Sequence, residues 1–184
     1  MKIAMLLIPL VLILIIWVVA SYNSLVRVNI AADEAFAQIE VQLKRRADLI
    51  PNLVETVKGY ATHEKSTLDA VISARAKATS ASGVADVAAA DGQLTTALRG
   101  LLAVAESYPD LKASANFLSL QEELSTTENK VAFARQFYND TVRSLNQAVK
   151  TFPSSLFAGM AKVSARAFYE IENPTDRNVP NVKF

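Results

Sequence analysis

The chain begins with an unbroken apolar run. From Ile3 to Ala20, eighteen consecutive residues carry no charge. As an α-helix this run would extend about 27 Å, close to the roughly 30 Å hydrocarbon core of a bilayer. Trp17 lies near its far end, where amphipathic rings favour the membrane interface, and Pro9 is tolerated in a membrane helix. The pattern predicts a single transmembrane anchor over residues 1–25.

A cleaved signal peptide is the alternative interpretation of this run, because small residues precede Ser21. The apolar part of a signal peptide is usually only about 7–15 residues long, so we favour an uncleaved anchor. The charged residues on either side of the run do not indicate which end of the anchor faces the cytoplasm. Lys2 is the one basic residue before the run and Arg27 the one close behind it, which leaves the side of the membrane open.

Behind the anchor, apolar residues recur every three or four positions, as expected for one side of a helix. The first stripe contains Phe36, Ile39, Leu43, Ile50, Leu53, Val57 and Tyr60, and it continues with a shifted frame through Leu68, Val71, Ile72 and Ala76. Arg46 fills the one gap in the stripe. Pro51 falls inside it, where a proline costs about 3 kcal/mol and frees a backbone carbonyl for nearby polar side chains. The stripe predicts one helix kinked at Pro51, or two helices nearly in line, from about Val26 to Lys77.

Two further long helices follow. An alanine-rich stretch predicts a helix from about Val84 to Glu106, which ends before Pro109. The third stripe, which is the most regular of the chain, runs from Phe117 to Phe152 and predicts the next helix. A short amphipathic helix is expected within residues 154–165, and the proline-containing tail after it reads as extended and poorly ordered.

Helices with apolar stripes bury them on one another, at crossing angles of about 20° in a left-handed bundle. The predicted fold is therefore all-α. It comprises the transmembrane helix at 1–25, an antiparallel bundle of three to four long helices at 26–165, the first kinked at Pro51, and an extended C-terminal tail at 166–184.

Composition excludes several classes of protein. Lys and Arg number 19 against 18 Asp and Glu, a net charge of +1, which argues against a nucleic-acid partner. The absence of cysteine excludes disulfides, thiolate metal sites and lipoprotein acylation, and the single histidine excludes a His-rich metal site.

The sequence contains no complete catalytic motif of the kinds considered below. His63-Glu64 begins like a zinc-protease helix, but Thr67 stands where the second histidine ligand is required. A bundle di-iron site needs two histidines as well. The sequence has no glycine-rich phosphate loop or nucleophile elbow. We therefore predict no catalytic residue, no metal site and no cofactor, while a carboxylate-only site assembled from distant helices stays open.

Polar residues beside the stripes are candidate interaction or structural positions. They are Asn52, Glu55 and Lys58 near the proline; Glu64; Glu106 at a helix corner; and Glu128, Arg135, Tyr138 and Asn139 on the third stripe. Such residues usually fix helix register, and binding is the alternative. Lys44-Arg45-Arg46 with Asp48 is either a patch for anionic lipid or a partner, or a solvated face with local charge pairing.

Five segments of the chain are distinctive: YNSLV at 22–26, VQLKRRADLIPNLVETVKGYATHE at 41–64, ESYPDLKAS at 106–114, FLSLQEELSTTENKVAFARQFYND at 117–140 and FPSSLFAG at 152–159. They resemble the bacterial LemA family, in the family's order and across nearly the whole chain after Pro9. The resemblance implies a single-pass membrane protein with a helical bundle and implies no reaction. Some relatives look like membrane-organising proteins, including one in magnetosome formation. Others are encoded beside membrane metalloproteases or a phosphatase-like partner domain.

Together these observations favour a non-enzymatic scaffold or adaptor in the bacterial inner membrane, one that self-assembles and organises or shapes membrane or membrane complexes. Its expected partners are the lipid bilayer, further copies of the chain as a homo-oligomer, and a membrane protein such as a protease or a phosphatase-like domain protein. The alternative is a regulatory accessory subunit of a membrane protease or transporter. A hydrolase with an unrecognised carboxylate site is the third hypothesis.

Overall fold

The computed structural model describes residues 2–61 and 63–170, which form six helices and, within those ranges, no strand. The long helices are α1 (Lys2–Lys58), α2 (Lys65–Ser80), α3 (Val84–Ala105) and α5 (Ala115–Lys150), and the single-turn helices are α4 (Pro109–Lys112) and α6 (Ser155–Ala158). The predicted all-α fold with up to four long helices is confirmed.

The first part of α1 contains the predicted anchor. Its large apolar side chains from Leu7 to Ile16 are exposed, as are Pro9, Trp17 and Ala20. Ile3 lies in the helix, with its side chain outside the described part of the chain. By length and apolar composition, α1 is the one described helix that could cross a membrane. A signal sequence has the same properties, so the uncleaved anchor stays a prediction.

The prediction that the first helix, or two helices in line, would reach Lys77 is wrong. The chain leaves α1 at Lys58, where Gly59 has low helix propensity, and α2 begins at Lys65. The α2 stripe then packs back against α1, and this reversal explains the shifted frame of its apolar positions. Folding back buries Leu68 and Val71 in one core with Ile50, Leu53 and Val57 of α1, whereas an extended rod would leave them exposed to water. Ile72, Ala76 and Tyr60 of the predicted stripes remain exposed.

Pro51 lies in the interior of α1, which continues through it without interruption. A proline has no N–H, so the carbonyl of Ala47, four residues earlier, loses its partner within the helix. Nε of Arg75, on α2, donates to that carbonyl oxygen at 2.8 Å. A polar side chain does satisfy the freed carbonyl, as the sequence suggested, but it comes from the neighbouring helix and not from the residues around the proline.

The described chain divides into two compact units. The larger unit lies within Gln38–Arg135 and Tyr169–Phe184, and its core combines parts of α1, α2, α3 and α5. Its buried apolar side chains include Ile50, Leu53, Val57, Leu68, Val71, Leu94, Leu98, Leu101, Phe117 and Leu124. Gly83 joins α2 to α3 with a φ of 80°, a left-handed conformation that glycine adopts readily.

The smaller unit lies within Met1–Ala37 and Gln136–Phe168. Two ring contacts, Phe36 with Tyr138 and Trp17 with Phe152, each have centroids 5.7 Å apart. Residue numbers fall from Phe36 to Trp17 along α1 while they rise from Tyr138 to Phe152 along the segment in contact with it. The two segments therefore run antiparallel. Leu25, which lies between Trp17 and Phe36 along α1, is fully buried in an apolar cluster with Leu145 and Val163. The sequence predicted a different division, into an anchor, a bundle and a tail with boundaries after residues 25 and 165. Those boundaries stay predictions.

The end of the described chain departs from expectation in two ways. The amphipathic helix expected within 154–165 is only the single turn α6, and residues 163–170 are not helical. Arg166 is held by Asn146, through reciprocal bonds with its backbone N–H and C=O at 2.8 and 2.9 Å, and by Asp33 at 2.5 Å. The predicted tail is therefore non-helical where it is described, but its start is packed. Residues 171–184 lie outside the described part.

We expect a strong coupling between Pro51 and Arg75. Arg75→Met leaves the Ala47 carbonyl without a partner and should destabilise the protein by about 1–3 kcal/mol. In a Pro51→Ala background the restored N–H accommodates that carbonyl, so the same substitution should cost much less. Thermal unfolding of the detergent-solubilised chain, followed by circular dichroism, measures both effects. Lys77→Met, on the exposed side of α2, is the matched control, and equal losses in both backgrounds would contradict the coupling.

Candidate functional site

Two charges lie fully buried in the larger unit. Arg46 of α1 is 2% exposed and Asp91 of α3 is 1% exposed. Nη1 of Arg46 donates to Oδ1 of Asp91 at 3.1 Å and to Oγ1 of Thr95, one turn further along α3, at 3.0 Å. Removing two ions from water is costly, and only pairing with further hydrogen bonds offsets that cost. The rest of the site supplies several of those bonds, whereas the buried Nε of Arg46 has no hydrogen-bond partner in the described part of the chain.

Helix α5 contributes the other two charges. Arg135 donates through Nη2 to the second oxygen of Asp91, and Nη2 of Arg46 donates to Oε2 of Glu128 at 3.2 Å. Glu128 is about half exposed, whereas Arg135 is mostly buried. Two arginines and two carboxylates balance formally, so three helices meet around a neutral set of charges.

Tyr169 adds the C-terminal segment to this set. It is 4% exposed, and its hydroxyl donates to Oδ2 of Asp91 at 3.1 Å. Its ring lies 5.3 Å from the Arg135 guanidinium carbon, within cation–π range. Burial raises the pKa of the Tyr169 phenol well above its usual range, and the negative charge of Asp91 adds to the shift. The phenol therefore remains a hydrogen-bond donor at physiological pH.

We call this group the Asp91 cluster: Arg46, Asp91, Thr95, Glu128, Arg135 and Tyr169. Both oxygens of Asp91 accept hydrogen bonds, and the carboxylate is closed off from solvent, which suits a structural tie and not a base or nucleophile. Among residues 2–61 and 63–170, no group of three or more His, Asp or Glu could hold a metal ion.

The structure separates the four candidates on the third stripe. Glu128 and Arg135 belong to the Asp91 cluster. Tyr138 lies in the smaller unit, where its buried hydroxyl donates to the carbonyl of Ala167 at 3.0 Å. Burial raises the pKa of Tyr138, with opposing contributions from nearby charges. Asn139, the next residue, is half-buried.

The candidates near Pro51 lie on the surface. Asn52 is exposed, and Glu55 forms an ion pair with Lys58 at 2.9 Å, also in solvent. Such exposed pairs contribute at most about 1 kcal/mol. These three residues do not contact the freed Ala47 carbonyl, whose partner is the arginine of α2.

Glu64 and Glu106 lie near helix ends. Glu64 accepts a hydrogen bond from the Tyr108 hydroxyl at 3.0 Å, which links the segment after α1 to the corner after α3. That bond is the main reason why the pKa of Tyr108 is raised. Glu106 is exposed immediately after α3. His63 is exposed as well, in the turn before α2.

The basic segment at 44–46 combines different environments. Lys44 pairs with Asp48 at 2.9 Å on an exposed face, which matches the interpretation as a solvated face. Arg46 fits neither that interpretation nor a lipid patch, because it is buried. Its place in the gap of the first stripe was the available signal for burial.

Asp91 and Tyr169 were missed by sequence reasoning. Asp91 falls in a three-and-four spacing with Val87, Leu94 and Leu98, so an acid on a buried stripe was detectable in principle. Tyr169 gave no comparable signal, since it lies in a segment without periodicity.

Comparisons with known proteins concern most of the chain. A family model described as LemA family matches residues 35–184. A curated relative, Protein LemA of Metamycoplasma hominis, is 28% identical over 131 residues, which is 71% of this chain and 60% of the relative. The chain therefore spans about 60% of the length of that relative. The apolar run lies before the matched residues.

Asp91→Asn should be strongly destabilising. The substitution keeps the shape but removes the negative charge that pairs with both Arg46 and Arg135, and breaking a buried pair costs about 3–5 kcal/mol. We expect the Tm to fall by roughly 6–20 °C for a chain of this size. Glu128→Gln, at the half-exposed edge of the cluster, is the control and should lose only about 1 kcal/mol or less. Similar losses for both variants would contradict a central role for Asp91.

The stabilising effect of Tyr169 should decrease in alkali. Its pKa is raised in the folded protein, so above about pH 10 the unfolded chain releases the phenolic proton first, and the folded state loses relative stability. Below that pH the full contribution of the hydrogen bond, about 1.5–3 kcal/mol, is present. Comparing the Tm of the wild type and Tyr169→Phe at neutral pH and above pH 10 tests this. A difference in Tm that stays the same above pH 10 would contradict this prediction, because it would show that the protonated hydroxyl does not stabilise the fold.

Proposed function

The chain belongs to the LemA family, and from that premise we propose that it is a membrane-anchored helical scaffold or adaptor with no enzymatic activity of its own. It sits in the bacterial inner membrane with a single span, assembles with copies of itself, and organises membrane or membrane complexes through its helical surface.

The exposed apolar segment of α1 is the observation that carries this proposal. Its large side chains from Leu7 to Ile16 are each more than half exposed, although the same helix continues into a packed core. Water-soluble monomers rarely expose an apolar surface of this extent, and a bilayer provides the environment that would cover it. The exposed run also distinguishes α1 from a buried core helix of the same composition.

The larger unit offers surface for helix-to-helix contact. Val41 on α1, Ile72 on α2 and Phe133 on α5 are large apolar residues that project into solvent. Neighbouring helices of a partner or of a second copy would cover them, in the same way that the internal stripes cover one another. The Asp91 cluster holds α1 and α5 in one register, and the bond from Arg75 to the Ala47 carbonyl ties α2 to α1, so such a surface keeps a fixed shape.

The absence of a usable chemical group around the cluster supports a non-enzymatic role. Its one fully buried carboxylate is saturated by two arginines and a phenol. An open groove of about 320 Å³ is lined by residues of α1, α2, α3 and the turn between α2 and α3. Most of its lining is apolar, and the polar residues in it are Glu40, Lys44 and Thr79. That lining suits a shallow contact surface.

We expect the full-length chain, extracted from its own membrane in mild detergent, to form particles of several copies of the 20.0 kDa protein. Light scattering gives the mass, and electron microscopy of the same fraction gives the shape. Phe133→Ser should reduce the particle mass, whereas Lys130→Ser, an exposed polar neighbour on α5, should leave it unchanged.

Two outcomes would argue for something else. A monomer that crosslinks to no other protein in its membrane would contradict the scaffold. A small particle with one stoichiometric second polypeptide, whose activity changes when this chain is deleted, would indicate the alternative function, a regulatory subunit of a membrane protease or transporter.

A further inference from the structure

Three large apolar side chains project from the corner where α5 ends. Phe152, Leu156 and Met160 are 71%, 66% and 74% exposed, within nine residues of one another. Isolated exposed apolar residues are ordinary, but three together on one turn-and-helix segment form a patch that water does not favour. We call residues 152–160 the corner.

The corner lies beside the end of the apolar run. The Phe152 ring is 5.7 Å from the Trp17 ring, centroid to centroid. The other ring contact of this unit, Phe36 with Tyr138, is nineteen residues further along α1, about 28 Å away at 1.5 Å per residue. Because α1 and α5 pair antiparallel, the corner is at the Trp17 end of the pair and Phe36 is at the opposite end.

The charged residues on either side of the corner along the chain are all basic. No acidic residue occurs between Asp140 and Glu170, whereas Lys150 and Lys162 flank the corner and are both exposed. Basic side chains near a membrane are attracted to anionic headgroups, and apolar side chains beside them insert into the boundary between headgroups and acyl chains.

We propose that the corner is a second membrane contact, in which Phe152, Leu156 and Met160 enter the interfacial layer of a bilayer containing anionic lipid while Lys150 and Lys162 bind its headgroups. The inference rests on the proposed function, since it requires α1 to span the same bilayer. Trp17 then marks the depth of the interface, and its ring contact with Phe152 places the corner at that depth. The smaller unit would thus be attached to the membrane at two points and held upright on it.

A bilayer fits this patch better than a second copy of the chain. The exposed corner is continuous with the exposed apolar face of α1 through the contact of Trp17 with Phe152. In a symmetric dimer through the corner, Lys150 and Lys162 would face the same lysines of the other copy, and like charges oppose that contact. Anionic headgroups instead complement both lysines.

The absence of cysteine permits a direct test. Single cysteines replace Leu156 in the corner, Leu12 in the middle of the apolar run, or Phe137 of the same unit. Phe137 is an exposed aromatic residue of α5, about 20 Å along the helix from its end at the corner. Each full-length variant is labelled with an environment-sensitive fluorophore and reconstituted into vesicles of phosphatidylcholine and phosphatidylglycerol. Lipids carrying a nitroxide quencher near the headgroup or deep in the acyl chain report where each label lies.

We expect the Leu156→Cys label to be quenched most by the shallow quencher, the Leu12→Cys label most by the deep one, and the Phe137→Cys label by neither. Lys150→Gln and Lys162→Gln should each shift the docked–undocked equilibrium of the corner by about fivefold in these vesicles, and less without anionic lipid. Met160→Cys provides a second label position if Leu156→Cys disturbs the fold, which circular dichroism would reveal.

Other outcomes separate this inference from the proposed function. Quenching at position 12 without quenching at 156 or 160 would overturn the corner as a membrane contact and leave the anchor intact. A corner label that is shielded from water yet unaffected by either quencher would overturn it in favour of a protein partner. No lipid quenching at position 12 would overturn the membrane anchor itself.

Discussion

The carboxylate of Asp91 is the constraint on which the larger unit depends. It accepts hydrogen bonds from two arginines on different helices and from a tyrosine at the end of the described chain. A buried charge tolerates no shift of its partners, because losing any one of them exposes the desolvation cost of the rest. Apolar stripes permit helices to slide by a turn, whereas this cluster allows one register of α1, α3 and α5.

The same requirement, that buried polar groups be paired, explains Pro51. A proline inside a long helix creates an unpaired carbonyl, and the Arg75 side chain on α2 meets that carbonyl from outside. The proline thereby contributes to the contact between α1 and α2. The free carbonyl of Ala47 gives α2 a specific point of contact on α1. A helix in which every interior carbonyl is already hydrogen-bonded would not offer such a point.

The smaller unit uses polar contacts differently, to hold a non-helical segment. Arg166 joins Asn146 and Asp33, and Tyr138 holds the carbonyl of Ala167, so a non-helical segment is fastened along the antiparallel pair of helices. Hydrogen bonding to Arg166 lowers the pKa of Asp33, which keeps that carboxylate charged in mildly acidic conditions. The unit thus ends in a packed segment where an extended and poorly ordered tail was expected, and Phe152, Leu156 and Met160 of its corner are exposed.

The sequence by itself determined the elements whose signals are local. The charge-free run, the stripes of α3 and α5 and the prolines that follow them needed only neighbours along the chain, and the all-α fold followed from them. Of the candidate site, it supplied Glu128 and Arg135 as polar residues beside a stripe. Tertiary structure decided that α2 reverses, that Arg46 is buried, and that Asp91 and Tyr169 meet. Those outcomes depend on which faces pack together and on where a buried charge finds its partner, and periodicity along one helix carries no information about residues on another.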